Sequence, residues 1–111
     1  MNRMLRVALM AIWSCLIAQR AAADTPDQKA VQFGEVMAVE NFCNRSTELP
    51  KTAFDEWLAA SRFEALDIAR LKARFLSGYQ QTRSVLMEKL DFSQCDDGAA
   101  SSIRKLNQLI R

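Results

Sequence analysis

Only five residues of this chain are glycine or proline: Pro26, Gly34, Pro50, Gly78 and Gly98. All lie after residue 24, and they are spread thinly. So few backbone breakers argue against a turn-rich β fold and leave long segments that have to be regular. In those segments apolar residues recur every three or four positions, which is the helical period. Thr25-Pro26-Asp27-Gln28 has the form of a helix start, with Thr as N-cap, Pro in the first turn and Gln three residues on. The helix is expected to run to about Phe42. One face carries Phe33, Val36, Met37, Val39 and Cys43, and Val31, Ala38 and Phe42 lie nearly opposite. A helix that is apolar on two sides is normally buried between others. Glu40 projects from the richer face. Its carboxylate is expected to reach the rim or to pair with an arginine, and the sharper alternative is a perturbed carboxylate in a pocket.

Ser46-Thr47-Glu48-Leu49-Pro50 breaks the pattern. A short helix follows, with Pro50 in its first turn and Phe54, Trp57 and Leu58 on one face. Trp57 is expected to anchor the core, and the alternative is a partner-binding hot spot. Ser61-Arg62-Phe63-Glu64 matches a second capping box and would start the longest helix. That helix carries a stripe of Ile68, Leu71, Phe75, Tyr79, Thr82 and Leu86, which Leu66, Leu76 and Val85 would widen. Gly78 sits inside it, where it either admits a close neighbour or marks a kink. About 30 helical residues would span about 45 Å, so a bend is expected there. Asp96 or Asp97 would cap a last helix carrying Ile103, Leu106, Leu109 and Ile110. The fold class read from this pattern is all-α: a small bundle of four helical segments.

The first 23 residues read differently. Arg3 and Arg6 precede an uncharged, mainly apolar run from Val7 to Ala18, and Ala21-Ala22-Ala23 follows. This is the layout of a secretory leader, with cleavage expected before Asp24 and a single helical domain over residues 24–111. An uncleaved leader would be the one route to a membrane. However, twelve apolar residues reach only about 18 Å against about 30 Å of hydrocarbon, and Gln19 and Arg20 close the run. Cys15 does not read as a lipoprotein cysteine, because Trp13 stands where small side chains are wanted.

With the leader removed, two of the three cysteines remain, Cys43 and Cys95. An even count in an oxidising compartment reads as a disulfide. Zinc would want three or four Cys or His ligands, and the chain has no histidine. The bond would tie the end of the first helix to the start of the last. By loop-closure entropy, a crosslink over about 50 residues stabilises by roughly 4 kcal/mol. Asn44-Arg45-Ser46 also fits an N-glycosylation acceptor, but the Ala-x-Ala leader end fits bacterial export, where that pattern carries no sugar.

The composition narrows the chemistry. The leader carries three arginines and no acid, so the net charge of +2 becomes −1 in the mature chain. A near-neutral domain gives no global reason to bind nucleic acid. Without histidine, neither a Ser-His-Asp nor a Cys-His device can be assembled. No glycine-rich phosphate loop is present, and no cofactor or metal is expected. Asp55-Glu56 and Asp96-Asp97 suit helix starts. The reading is therefore not an enzyme. One cluster stands out: Arg70 and Arg74 share a helix face and would grip a phosphate or an acidic partner, although Asp67 suits an ordinary surface ion pair with Arg70.

The order Gly34-Glu35, Cys43, Trp57, Phe75-x-x-Gly78-Tyr79, Cys95 and a short C-terminal helix resembles an uncharacterised family of small exported alphaproteobacterial helical proteins with two cysteines. The stretch between Gly78 and Cys95 is longer here. The resemblance implies export and supplies no activity. In size and in its single long-range disulfide the chain is also similar in architecture to the periplasmic acid-stress chaperones of the HdeA kind. Two functions follow as expectations. One is an exported interaction or structural protein that contacts another periplasmic protein or an envelope component through Trp57, Arg70 or Arg74. The other is an acid-activated holdase. Its switch would have to come from carboxylates, because no histidine titrates near pH 6.

Overall fold

The computed structural model describes residues 25–111, so the expected leader and its expected cleavage site lie outside the described residues. Four α-helices follow one another: α1 (Pro26–Phe42), α2 (Glu48–Ser61), α3 (Ala65–Lys89) and α4 (Ala100–Ile110). A 3₁₀ turn at Ser93–Cys95 precedes α4. The described residues form the all-α, disulfide-tied bundle that the sequence pattern predicts.

α1 starts where its signals place it. Thr25 is the N-cap, and its Oγ1 accepts the backbone N–H of Gln28 at 3.3 Å. The helix packs chiefly on α3, with α2 and α4 against its remaining sides. Its buried residues therefore point several ways: Ala30, Phe33, Gly34, Val36, Ala38 and Glu40. The core is aromatic. Phe33 is fully buried, with Phe54 and Trp57 at ring-centroid distances of 5.6 and 5.4 Å. Phe75 of α3 stacks on Phe54 at 4.4 Å, and Phe63 meets the edge of Trp57 at 5.3 Å. Offset and edge-on aromatic pairs of this kind add about 1 kcal/mol each beyond their buried area.

Two glycines set how closely α1 and α3 approach. A Cβ on Gly34 would collide with the carbonyl oxygen of Phe75 and lie 2.8 Å from the amide nitrogen of Tyr79. A Cβ on Gly78 would collide with the carbonyl oxygen of Val31. The helices thus cross backbone against backbone, and of the two roles open to Gly78, close approach is the one it fills. α3 runs through it as one continuous helix from Ala65 to Lys89.

Three expectations are corrected. Ser61 does not cap α3. It ends α2, and Arg62 follows at φ 55°, ψ 42°, so the chain turns back before α3 can start, with Glu64 as N-cap. Neither Asp96 nor Asp97 caps α4. The 3₁₀ turn and Gly98 at φ 58° must first reverse the chain, and the N-cap is Ala99, with no side-chain bond. Finally, Leu66, Leu76 and Val85 do not widen the buried stripe of α3. They are 86%, 50% and 48% exposed.

Candidate functional site

The carboxylate of Glu40 and the disulfide form one structural knot. Cys43 and Cys95 are bonded across 52 residues, with Cα atoms 5.4 Å apart, within the range an unforced bridge requires. The bond joins the C-cap of α1 to the turn that leads into α4. Asn44, at φ 58°, folds the chain back over the end of α1, and the Arg45 N–H reaches the Glu40 carbonyl at 2.8 Å. This backward turn places the Arg45 guanidinium on the Glu40 carboxylate in a two-point pairing, Nη2 to Oε1 at 2.8 Å and Nε to Oε2 at 2.9 Å. Arg45 Nη1 also donates to the Cys95 carbonyl oxygen at 3.3 Å. From α4, Ser102 donates its hydroxyl to Glu40 Oε1 at 2.5 Å.

Glu40 thereby links α1, the following loop and α4 while it is only 4% exposed. Burial pushes its pKa up. The hydrogen bonds from Arg45 and Ser102, with the charge of Arg45, outweigh that and hold it below the usual carboxylate value. Arg45 is correspondingly held above its ordinary value, first by its hydrogen bonds to Glu40. The structure shows the expected arginine pair, not a carboxylate at the rim, and it also gives Glu40 the lowered pKa and the place on a cavity wall that the second reading describes. Nearby, Phe42 and Phe92 stack at 4.9 Å and pack the two ends of the crosslinked loop together. Next to the knot lies a cavity of about 130 Å³, lined by Leu49, Pro50, Ile103 and Leu106 as well as Glu40 and Arg45. It is small beside the several hundred Å³ of a typical small-molecule site.

The other singled-out residues lie elsewhere. Trp57 is 7% exposed and sits in the aromatic core, as its core-anchor reading expects. Arg70 and Arg74 do share a face of α3, and both reach Asp27 in the first turn of α1, at 3.2 and 3.4 Å. Arg70 also meets Asp67 at 2.9 Å, the pairing expected from their spacing. Asp27 thus joins the start of α1 to α3 through two half-exposed cations. Among the described residues no group of three or more His, Cys, Asp or Glu side chains is placed to hold a metal ion. No described helix is long and apolar enough to cross a membrane.

Sequence reasoning did not name Arg45 or Ser102 as the partners of Glu40. A left-handed residue at 44 and a 62-residue separation carry no local signal. Comparison with protein-family models, curated proteins and solved structures returns no match to this chain.

Proposed function

We propose that this protein is an exported, periplasmic interaction or structural module that contacts another periplasmic protein or an envelope component. The observation that carries the reading is the Cys43–Cys95 bond locking the end of α1 to the entry of α4. Such bonds persist outside the reducing cytosol, and they suit a small domain whose core alone stabilises weakly. The leader pattern of residues 1–23 and the likeness to small exported two-cysteine helical proteins point the same way. Trp57 serves this function by fixing the core, not by touching a partner. The test is fractionation of the native host, followed by intact-mass analysis without reductant. The reading expects a chain beginning at Asp24, in the periplasm, with no free thiol. A cytosolic chain with two alkylatable cysteines overturns it.

Glu40 favours a second reading, an acid-activated holdase. One buried carboxylate ties three parts of the bundle together, and its protonation removes the partner of Arg45. If this reading holds, the protein opens and protects an aggregating client at about pH 2.5, well below the usual carboxylate range. A native circular dichroism spectrum and no client protection there dismiss it.

A further inference from the structure

The outward face of α3 has a pattern that its buried stripe conceals. Leu66, Ala69, Ala73 and Leu76 are spaced three and four residues apart, and all are exposed. The same spacing continues through Gln80, Arg83 and Met87, also exposed. Alternating steps of three and four residues are the a and d positions of a coiled-coil seam. α3 turns its other side to α1, so nothing within the described residues covers this one.

The form of the seam narrows what fits on it. A helix lying on a membrane needs a broad apolar face, whereas an a/d-only stripe is the narrower shape made by helix-on-helix packing. Ala69 and Ala73 between the two leucines keep the seam shallow enough for another helix to come close. With Leu66 as an a position, Arg70 and Lys72 fall at the flanking e and g positions. Asp67 and Glu88 fall at b, away from the seam. The charges along the contact are therefore cationic. Arg70 is partly neutralised by Asp27 and Asp67, while Lys72 on the flank and Arg83, at a d position within the seam, have no ion pair among the described residues. Flanking charges select the partner of such a seam. A second copy would bring the same cations against their own kind.

We propose that the Leu66–Met87 face of α3 docks an acidic amphipathic helix of another protein, with apolar residues in the seam and carboxylates along its flanks. This names the surface and partner class for the interaction module proposed above, and it rests on that reading. The in vitro test does not depend on compartment, so its failure leaves the export evidence intact, and a failed localisation leaves this surface intact.

The experiment titrates the purified disulfide-bonded protein with a designed peptide of about three heptads, Leu at a and d, Glu at e and g. A sequence-matched peptide with Lys at e and g is the control. The acidic peptide is expected to bind at least about tenfold more tightly than the basic one, and more weakly as salt rises. Leu66→Glu/Leu76→Glu should cut affinity by about a hundredfold or more, since two leucine burials are lost and two repulsive charges added. Both positions are exposed, so circular dichroism of the variant should match the wild type. Leu66→Met/Leu76→Met should keep most of the affinity. The proposal is overturned by equal binding of the two peptides or by full affinity in the double Glu variant. It also falls if phosphatidylglycerol vesicles bind while the acidic peptide does not. Dimerisation of the wild type that the double Glu variant abolishes assigns the face to a second copy instead.

Discussion

Replacing Gly34 by alanine tests the α1–α3 crossing directly. In an ordinary helix the change stabilises by about 1 kcal/mol, because alanine is the better helix former. Here the new methyl meets the Phe75 carbonyl oxygen and the Tyr79 amide nitrogen, which are main-chain atoms held in the hydrogen-bond ladder of α3. They cannot rotate aside, so the helices must separate and loosen Phe33 and Phe75 beneath them. Overpacking of this kind costs about 1–3 kcal/mol, and a backbone obstacle belongs at the upper end. Subtracting the propensity gain leaves a net loss of about 2 kcal/mol, or about 8–16 °C in midpoint for a domain this size. Gly78→Ala meets Val31 in the same crossing and should act similarly. Once the first methyl has widened the crossing, the second meets less resistance, so the double variant should cost less than the two singles together by about 1 kcal/mol. Urea unfolding with the disulfide intact measures all three. A Gly34→Ala protein as stable as the wild type, or more stable, refutes the crossing.

Other perturbations separate the remaining contributions. Glu40→Gln removes the charge facing Arg45 and should cost about 3 kcal/mol near neutral pH, read by thermal unfolding. Because the folded Glu40 pKa lies below its ordinary 4.5, its contribution is complete above that value and fades as pH falls through the folded pKa. The wild type should therefore lose stability on acidification below pH 4.5, and the Gln variant should show a flatter acid limb. Cys43→Ser/Cys95→Ser should lower stability by roughly 4 kcal/mol, with reductant reproducing the loss in the wild type alone. Arg70→Glu/Arg74→Glu breaks half-exposed pairs with Asp27 and should cost only about 1 kcal/mol by urea titration. A loss of several kcal/mol would mean that these arginines hold the bundle together.

The sequence made the four helices and their core legible because burial writes a periodic pattern. The spacing of Phe33, Phe54, Trp57, Leu71 and Phe75 follows from which faces meet. The crosslink followed from setting Cys15 aside with the expected leader, which leaves Cys43 and Cys95. What failed was local signal in the wrong place. Ser61 and Glu64 have the letters of a capping box, but Ser61 is the last residue of α2, and Arg62 has to reverse the chain before α3 can start. Asp96 and Asp97 look like caps, yet the crosslinked turn holds them too early. Leu66 and Leu76 were misplaced for a different reason. Read against the buried stripe they count as extra breadth, whereas their own three-and-four spacing with Ala69 and Ala73 marks a separate face. Glu40 was legible as a carboxylate in need of an arginine. Which arginine was not, because the answer depended on a left-handed Asn44 that no propensity demands.

The position of the crosslink also governs what a protease does to this molecule. The α2–α3 connection at 62–64 lies between Cys43 and Cys95 in the chain, so scission there separates α1 and α2 from α3 and α4 in covalent sequence only. The two fragments stay fastened through sulfur and still share the glycine-lined crossing. A nicked molecule would migrate as one band until thiol is added and as two thereafter, so this protein can lose a peptide bond without coming apart.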